Sequence, residues 1–263
     1  MLSRVRVRRD RPSALSWAIA LAVTMLAVWL ITLSAPRAQR SADASAAPRV
    51  TRQIDFSGFT VYFADLGAYP DEWQARVAAA GCAGRGAAGV VYESADGFHV
   101  LGAGYALESD AERIAARLGE QLGADAGVLE LSGPAVSIRV TAPEGDAEAI
   151  AEADRTLRTQ LSQLNALALQ VDRGEITSAS ARTLARVAAS EVRSARRRLE
   201  KVAGWEGQPV CLSLRACLQS MEENLSAAGA AASGGAVLSG LLRCCHAGGA
   251  LGLIGFLNNP GGT

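Results

Sequence analysis

A strand-to-helix phrase written twice constrains this chain more than any other feature. "VYFADLGAYPDEWQARVAAAG" from Val61 and "FHVLGAGYALESDAERIAARLG" from Phe98 each pass from an apolar segment, through small residues and a tyrosine, into an acidic helix start. Tyr69 and Tyr105 hold equivalent places 36 positions apart. In "FTVYFADL", Tyr62, Ala64 and Leu66 share one face and Phe63 and Asp65 the other, the period-2 pattern of a strand. Pro70, Asp71 and Glu72 then open a helix, with proline in the first turn and acids at its positive end. Trp73, Val77 and Ala80 fall on one side of that helix, which predicts its buried face.

The second copy is entered through a hairpin. "VVYE" reads as a strand and "SADG" as a turn into "FHVLGAGY". Ser109 and Asp110 start a helix with Ile114, Ala115 and Leu118 on one face, "AGVLEL" is a fourth strand, and "SIRV" at Ser137 to Val140 is a candidate fifth. The order βα-ββ-αβ predicts an α+β, ferredoxin-like module with two helices on one face of a small antiparallel sheet.

Charge divides the chain into three pieces although its formal sum is zero. Residues 1–40 carry seven arginines against Asp10; residues 41–142 carry seven arginines against thirteen carboxylates; residues 143–263 balance twelve against twelve. Nothing here makes a basic surface suited to nucleic acid, and no nucleic-acid partner is expected. From Ala14 to Ser34 the chain has no charge, and at about 1.5 Å per residue this run makes roughly 30 Å of helix, the thickness of a bilayer core.

Five arginines precede that run and only Arg37 and Arg40 follow closely, which predicts a single-pass span with a cytoplasmic N-terminus. Trp17 and Trp29 fit interfacial anchors. A cleaved secretory signal ending at "LSA" (Leu33 to Ala35) is the alternative; signal cores run about 7–15 residues, shorter than this one. The expected plan is therefore a basic stub over 1–13, a transmembrane helix over 14–34, a linker over 35–53, the α+β module over 54–142, a helical domain over 146–257 and a disordered tail over 258–263. Everything after the span is placed outside the cytoplasm.

The helical domain follows from spacing. Ile150, Leu157, Leu161, Leu164, Ala168 and Val171 form a heptad-like stripe, and Leu184, Ala188, Val192, Ala195, Leu199 and Val202 form a second beyond Gly174. The two predict an antiparallel hairpin. A third helix follows Pro209 with Leu214, Leu218, Met221 and Leu225 on one face, and the glycine-broken stretch from about 228 predicts a frayed last helix packed on the hairpin. Arg193, Arg196, Arg197, Arg198 and Lys201 read as a solvated face.

Residues 59–131 resemble the SPOR domain, a bacterial cell-envelope module. "FADLGAY" takes the place of that family's first-strand signature, and "GFHVLGAGYALESDAERIAARL" fits its aromatic–basic–Val run, small-residue turn, aromatic and alanine-rich helix. A single-pass anchor ahead of the module is usual in the family. The resemblance implies noncatalytic binding of peptidoglycan, especially denuded glycan strands, by the sheet face away from the helices, in cell division or sporulation.

On that face the strand alternation places Phe63 and Asp65 of the first strand and His99 and Leu101 of the third. Asp65 stands where the family often has glutamine, and it accepts hydrogen bonds without donating them. A rival reading makes the α+β module a scaffold in an envelope protein whose helical domain binds a protein partner. An exposed face around Phe63 favours sugar, a covered one the scaffold. No paired catalytic residues are present and no cofactor is expected. "CCH" at Cys244 to His246, with Cys211 and Cys217, matches metal spacing poorly, so no metal is expected either.

Overall fold

Alternation and turn chemistry settle the α+β half of the chain, whose computed structural model describes residues 49–123, 125–232 and 234–260. The predicted stub and transmembrane helix, the linker up to residue 48 and the tail from residue 261 lie outside the described residues. Six strands and six helices follow one another: β1 (Arg49–Phe56), β2 (Phe59–Tyr69), α1 (Glu72–Ala80), β3 (Val90–Ser94), β4 (Gly97–Tyr105), α2 (Glu108–Leu122), β5 (Gly127–Gly133), β6 (Val136–Pro143), α3 (Glu144–Asp172), α4 (Ser178–Leu199), α5 (Pro209–Ala230) and α6 (Gly235–Asn258). The fold is mixed α+β with two small sheets.

One sheet has the order β3-β4-β2-β5, antiparallel between all neighbours. The other is a two-stranded ribbon of β1 and β6. Two readings of the sequence change here. β1 begins at Arg49, inside the stretch taken as linker, because Ile54 and Phe56 alternate into the core while Thr51 bonds Thr141 across the ribbon at 2.9 Å. The candidate fifth strand leaves the main sheet to become β6 of that ribbon.

Two register shifts bend the central pair. The β2–β4 pairing skips Gly102 and then passes an extra residue in β2 near Gly67, whose φ of 125° suits glycine. As a result Leu101 and Gly104 both face one side of the sheet, whereas Ala64, Leu66 and Val100 face the other. Helices α1 and α2 cover the second side. Asp71 caps α1 by accepting from the Gln74 N–H at 2.9 Å.

The predicted face of α1 is reversed. Ala75 and Ala79 are buried, and Trp73 is 72 % exposed with Val77 beside it. Small alanines let the short helix lie close to the sheet, and the large side chains are left outside.

The helical half keeps its predicted elements, with α3 packed on α4 and α6 on α3, and shifts one buried face. Ile150, Leu157, Leu161, Leu164, Ala168 and Val171 of α3 are buried, as are Leu214, Leu218, Met221 and Leu225 of α5. In α4 the inward face shifts by one residue at its N-terminal half: Ala181, Ala185 and Ala189 go in, and Leu184 stays out. The last helix is not frayed; α6 runs unbroken for 24 residues.

By length and composition α6 is apolar enough to cross a membrane, yet 67 % of its most apolar window is buried inside this fold. It lies between the bundle and the free side of the four-stranded sheet. One core cluster accordingly includes β1, β2, β4 and all four long helices, with Phe56 meeting Phe256 edge to face at 5.0 Å. The α+β module keeps a smaller core of its own beneath α1 and α2, and shares this larger one with the helical domain.

Candidate functional site

The four residues predicted to meet glycan are brought together in two pairs. Phe63 and Leu101 stand side by side on the β2–β4 face and are 0 % exposed. What covers them is α6. A methyl on Gly104 would lie 2.8 Å from Phe63 Cε1 and 2.9 Å from His246 Cε1, so the helix sits flush against the sheet only because that position has no side chain. The aromatic face expected to be open is therefore closed. The sequence did not signal this, because a helix 24 residues long and apolar nearly all round reads equally as core, span or frayed tail.

Asp65 and His99 bind one another, with His99 buried. His99 Nδ1 is 2.8 Å from Asp65 Oδ2, and His99 Nε2 is 3.3 Å from Asp96 Oδ1 in the β3–β4 turn. The Gly67 N–H donates to Asp65 Oδ1 at 3.2 Å across the bulge, and Ser94 Oγ bonds Asp96. Burial opposes a proton on His99, but hydrogen bonds and charge from Asp65 and Asp96 outweigh it and raise the pKa above the usual value.

With both ring nitrogens held by carboxylates, this imidazole is a clip tying the hairpin turn to β2. No hydroxyl or thiol is bonded to it, so no nucleophile–base pair is formed.

The cysteines and the second histidine form no centre. Cys82, Cys211 and Cys245 are buried and Cys217 and Cys244 half-buried, all as free thiols. Burial pushes Cys211 and Cys217 up to about 11 and Cys245 up to about 12, far from a reactive thiolate. His246 is pushed down to about 4 by burial and is neutral. Among the described residues no three His, Cys, Asp or Glu side chains converge as a metal ion requires.

The arginine cluster joins helices together. Arg193 and Arg196 both bond Glu222 of α5, at 2.6 and 3.0 Å, and Glu200 accepts from Arg196 at 2.7 Å and from Arg215 at 2.9 Å. Only the outer members, such as Arg197, fit the predicted solvated face. Burial raises Glu222 and Glu200, yet the arginine contacts prevail and hold both carboxyls below their ordinary range.

Arg243 is the residue whose role the sequence left undefined, although a lone charge in an apolar helix was its signal. It is 3 % exposed, donates to the Gly86 carbonyl just after α1 and pairs with Asp172 at the end of α3. The one cation of α6 thus fastens the helix to both halves of the fold.

Open surface remains on the outer side of the α3–α4 hairpin. Leu164, Leu167, Leu184, Val187 and Ala188 line a groove of about 370 Å³ together with Gln163, Gln170 and Glu191, and the buried Gln160 beneath it donates to Glu191 at 2.7 Å. Leu184 and Val187 are 47 % and 50 % exposed.

Fold and surfaces together define an α+β protein with a sheet covered on both sides and an exposed groove on a helical hairpin. No protein-family model, curated protein or solved structure matches the chain.

Proposed function

We propose that this is a noncatalytic interaction protein of the bacterial envelope, held to the cell membrane by a single N-terminal span, whose helical hairpin docks a protein partner while the α+β module serves as scaffold. One observation carries this reading: Phe63 and Leu101 lie wholly beneath α6, whereas Leu184 and Val187 stay open on the α3–α4 groove. A groove between two helices lined by apolar side chains and amides suits the apolar face of an amphipathic helix.

The strand order β3-β4-β2-β5 supports a second reading. It is the ferredoxin-like split β-α-β arrangement expected of a SPOR-type module. Glycan binding by the Phe63, Asp65, His99 and Leu101 face would require α6 to leave a helix bundle in which it is central.

The two readings part in a sacculus pull-down. The protein is mixed with intact wall and with wall stripped of stem peptides by amidase. The scaffold reading expects no binding to either. Binding that rises after digestion and falls in an Asp65→Ala, His99→Ala variant would reinstate the glycan reading. For the groove, a photo-crosslinker at Val187 is expected to trap a discrete protein in native membranes, and a Leu184→Asp change beside it to abolish the product. A product that survives Leu184→Asp refutes the groove. Both positions are exposed, so folding stability should move by no more than about 0.5 kcal/mol.

A further inference from the structure

The ribbon ends in an open strand. β1 pairs with β6 along one edge, and no strand among the described residues pairs its other edge. Such a row of free backbone N–H and C=O groups is a template for another strand. The five residues Arg49, Val50, Thr51, Arg52 and Gln53 are all exposed, so the fold does not shield this edge.

The side chains say which strand fits. Ile54 and Phe56 point into the core, so alternation puts Arg49, Thr51, Gln53 and Asp55 on the outward face. Along that face the charge runs from positive, through two neutral polar residues, to negative. An antiparallel copy of the same strand runs in the opposite sense and matches it.

With the two-fold axis at Arg52, Arg49 faces Asp55 of the second copy at both ends and Thr51 faces Gln53. On the inner face Val50 meets Ile54. Moving the axis by one residue either way loses both Arg–Asp matches. The two Arg52 side chains that meet at the axis are each already paired with their own Glu144, so no bare like charges face one another. Asp55 accepts from Ser137 and Gln53 within the ribbon and retains lone pairs for an arginine.

We propose that two copies of this chain associate through their β1 edges, in a four-stranded antiparallel sheet of order β6-β1-β1-β6 with its two-fold axis at Arg52. The interface is isologous and closes as a dimer. Opposite charges directly across an antiparallel pair support this register over its neighbours. The inference rests on the ribbon alone and stands apart from the groove.

Cysteine crosslinking of the full chain in its membrane tests it. Residues facing each other at the axis have Cα atoms about 4.5–5.5 Å apart, within disulfide reach. Under a mild oxidant, Arg52→Cys alone should give a crosslinked dimer about tenfold above Thr51→Cys alone. Mixing Thr51→Cys chains with Gln53→Cys chains should restore the product. The unsubstituted chain, with its native thiols buried or half-buried, sets the background.

Arg52→Cys yielding no more than that background, or no more than Thr51→Cys, overturns the proposal. A second route avoids any loss of fold from removing Arg52: Arg49→Glu should abolish dimers measured by light scattering in detergent, and Arg49→Glu with Asp55→Arg should restore them. A monomeric unsubstituted chain, or failure of the exchange to restore the dimer, equally refutes the register.

Discussion

Removing Asp172 should cost this fold more than removing the arginine it pairs with. Arg243 is 3 % exposed, and its two bonded partners are the Gly86 carbonyl and Asp172. Asp172 keeps 21 % side-chain exposure and has Arg117 at 4.0 Å as a second cation. Asp172→Ala leaves a buried guanidinium with one neutral acceptor, and an uncompensated buried charge costs about 3–5 kcal/mol.

Arg243→Met keeps the apolar stem, leaves the Gly86 carbonyl unpaired and leaves the partly exposed Asp172 with Arg117, a loss of about 1–3 kcal/mol. The double variant should lose little more than Arg243→Met, because without the arginine the cation left beside Asp172 is the half-exposed Arg117 at 4.0 Å, which water can solvate. Urea denaturation followed by circular dichroism reads these values from the midpoint at constant slope. In a fold of this size the Asp172→Ala change corresponds to roughly 6–20 °C in melting temperature. A loss below about 1 kcal/mol for Asp172→Ala, or simple additivity in the double variant, would show that Arg243 is not the fastener of α6.

Two further outcomes test the covered sheet. Gly104→Ala drives a methyl to within 2.9 Å of Phe63, His246 and Val61 at once, so it should destabilise by about 1–3 kcal/mol, measured by the same denaturation. His246 has a folded pKa of about 4 against an ordinary 6.5, so the unfolded chain takes up the proton first as pH falls. Its neutral burial contributes stability that is full above pH 6.5 and lost progressively toward pH 4, about 3 kcal/mol in all. His99 acts in the opposite sense: its raised pKa adds stability that is complete below pH 6.5 and lost as pH climbs through the folded value. His246→Leu should flatten the acid limb of the stability profile, and an unchanged limb would refute the assignment.

Much of the architecture was legible because it depends on local chemistry. The Asp71 cap, the Asp96–Gly97 turn and the alternation of Val61 to Leu66 each specify their element within a few residues. The facing of α1 and α4 was not legible, because alanine carries almost no hydrophobic signal. Trp73 and Leu184 dominate any periodicity count, while Ala75, Ala79, Ala181 and Ala185 do the packing. β1 was missed because Arg49, Thr51, Arg52 and Gln53 look like linker unless β6, some ninety residues later, is known to pair with them. At the predicted site alternation put Phe63 and Leu101 on a common side correctly. Which layer lies over that side is a long-range property that no local pattern contains.

The position of α6 after every other described element also sets an order on biogenesis. Phe63 and Leu101 are made early, yet the residues that cover them begin at Leu238, 137 positions after Leu101. Until α6 emerges, the nascent protein carries the Phe63–Leu101 face of its sheet uncovered. Such surface is what chaperones hold and what promotes aggregation. A stop ahead of Gly235 therefore strands the earlier elements in that sticky condition, so synthesis of α6 decides whether they are usable.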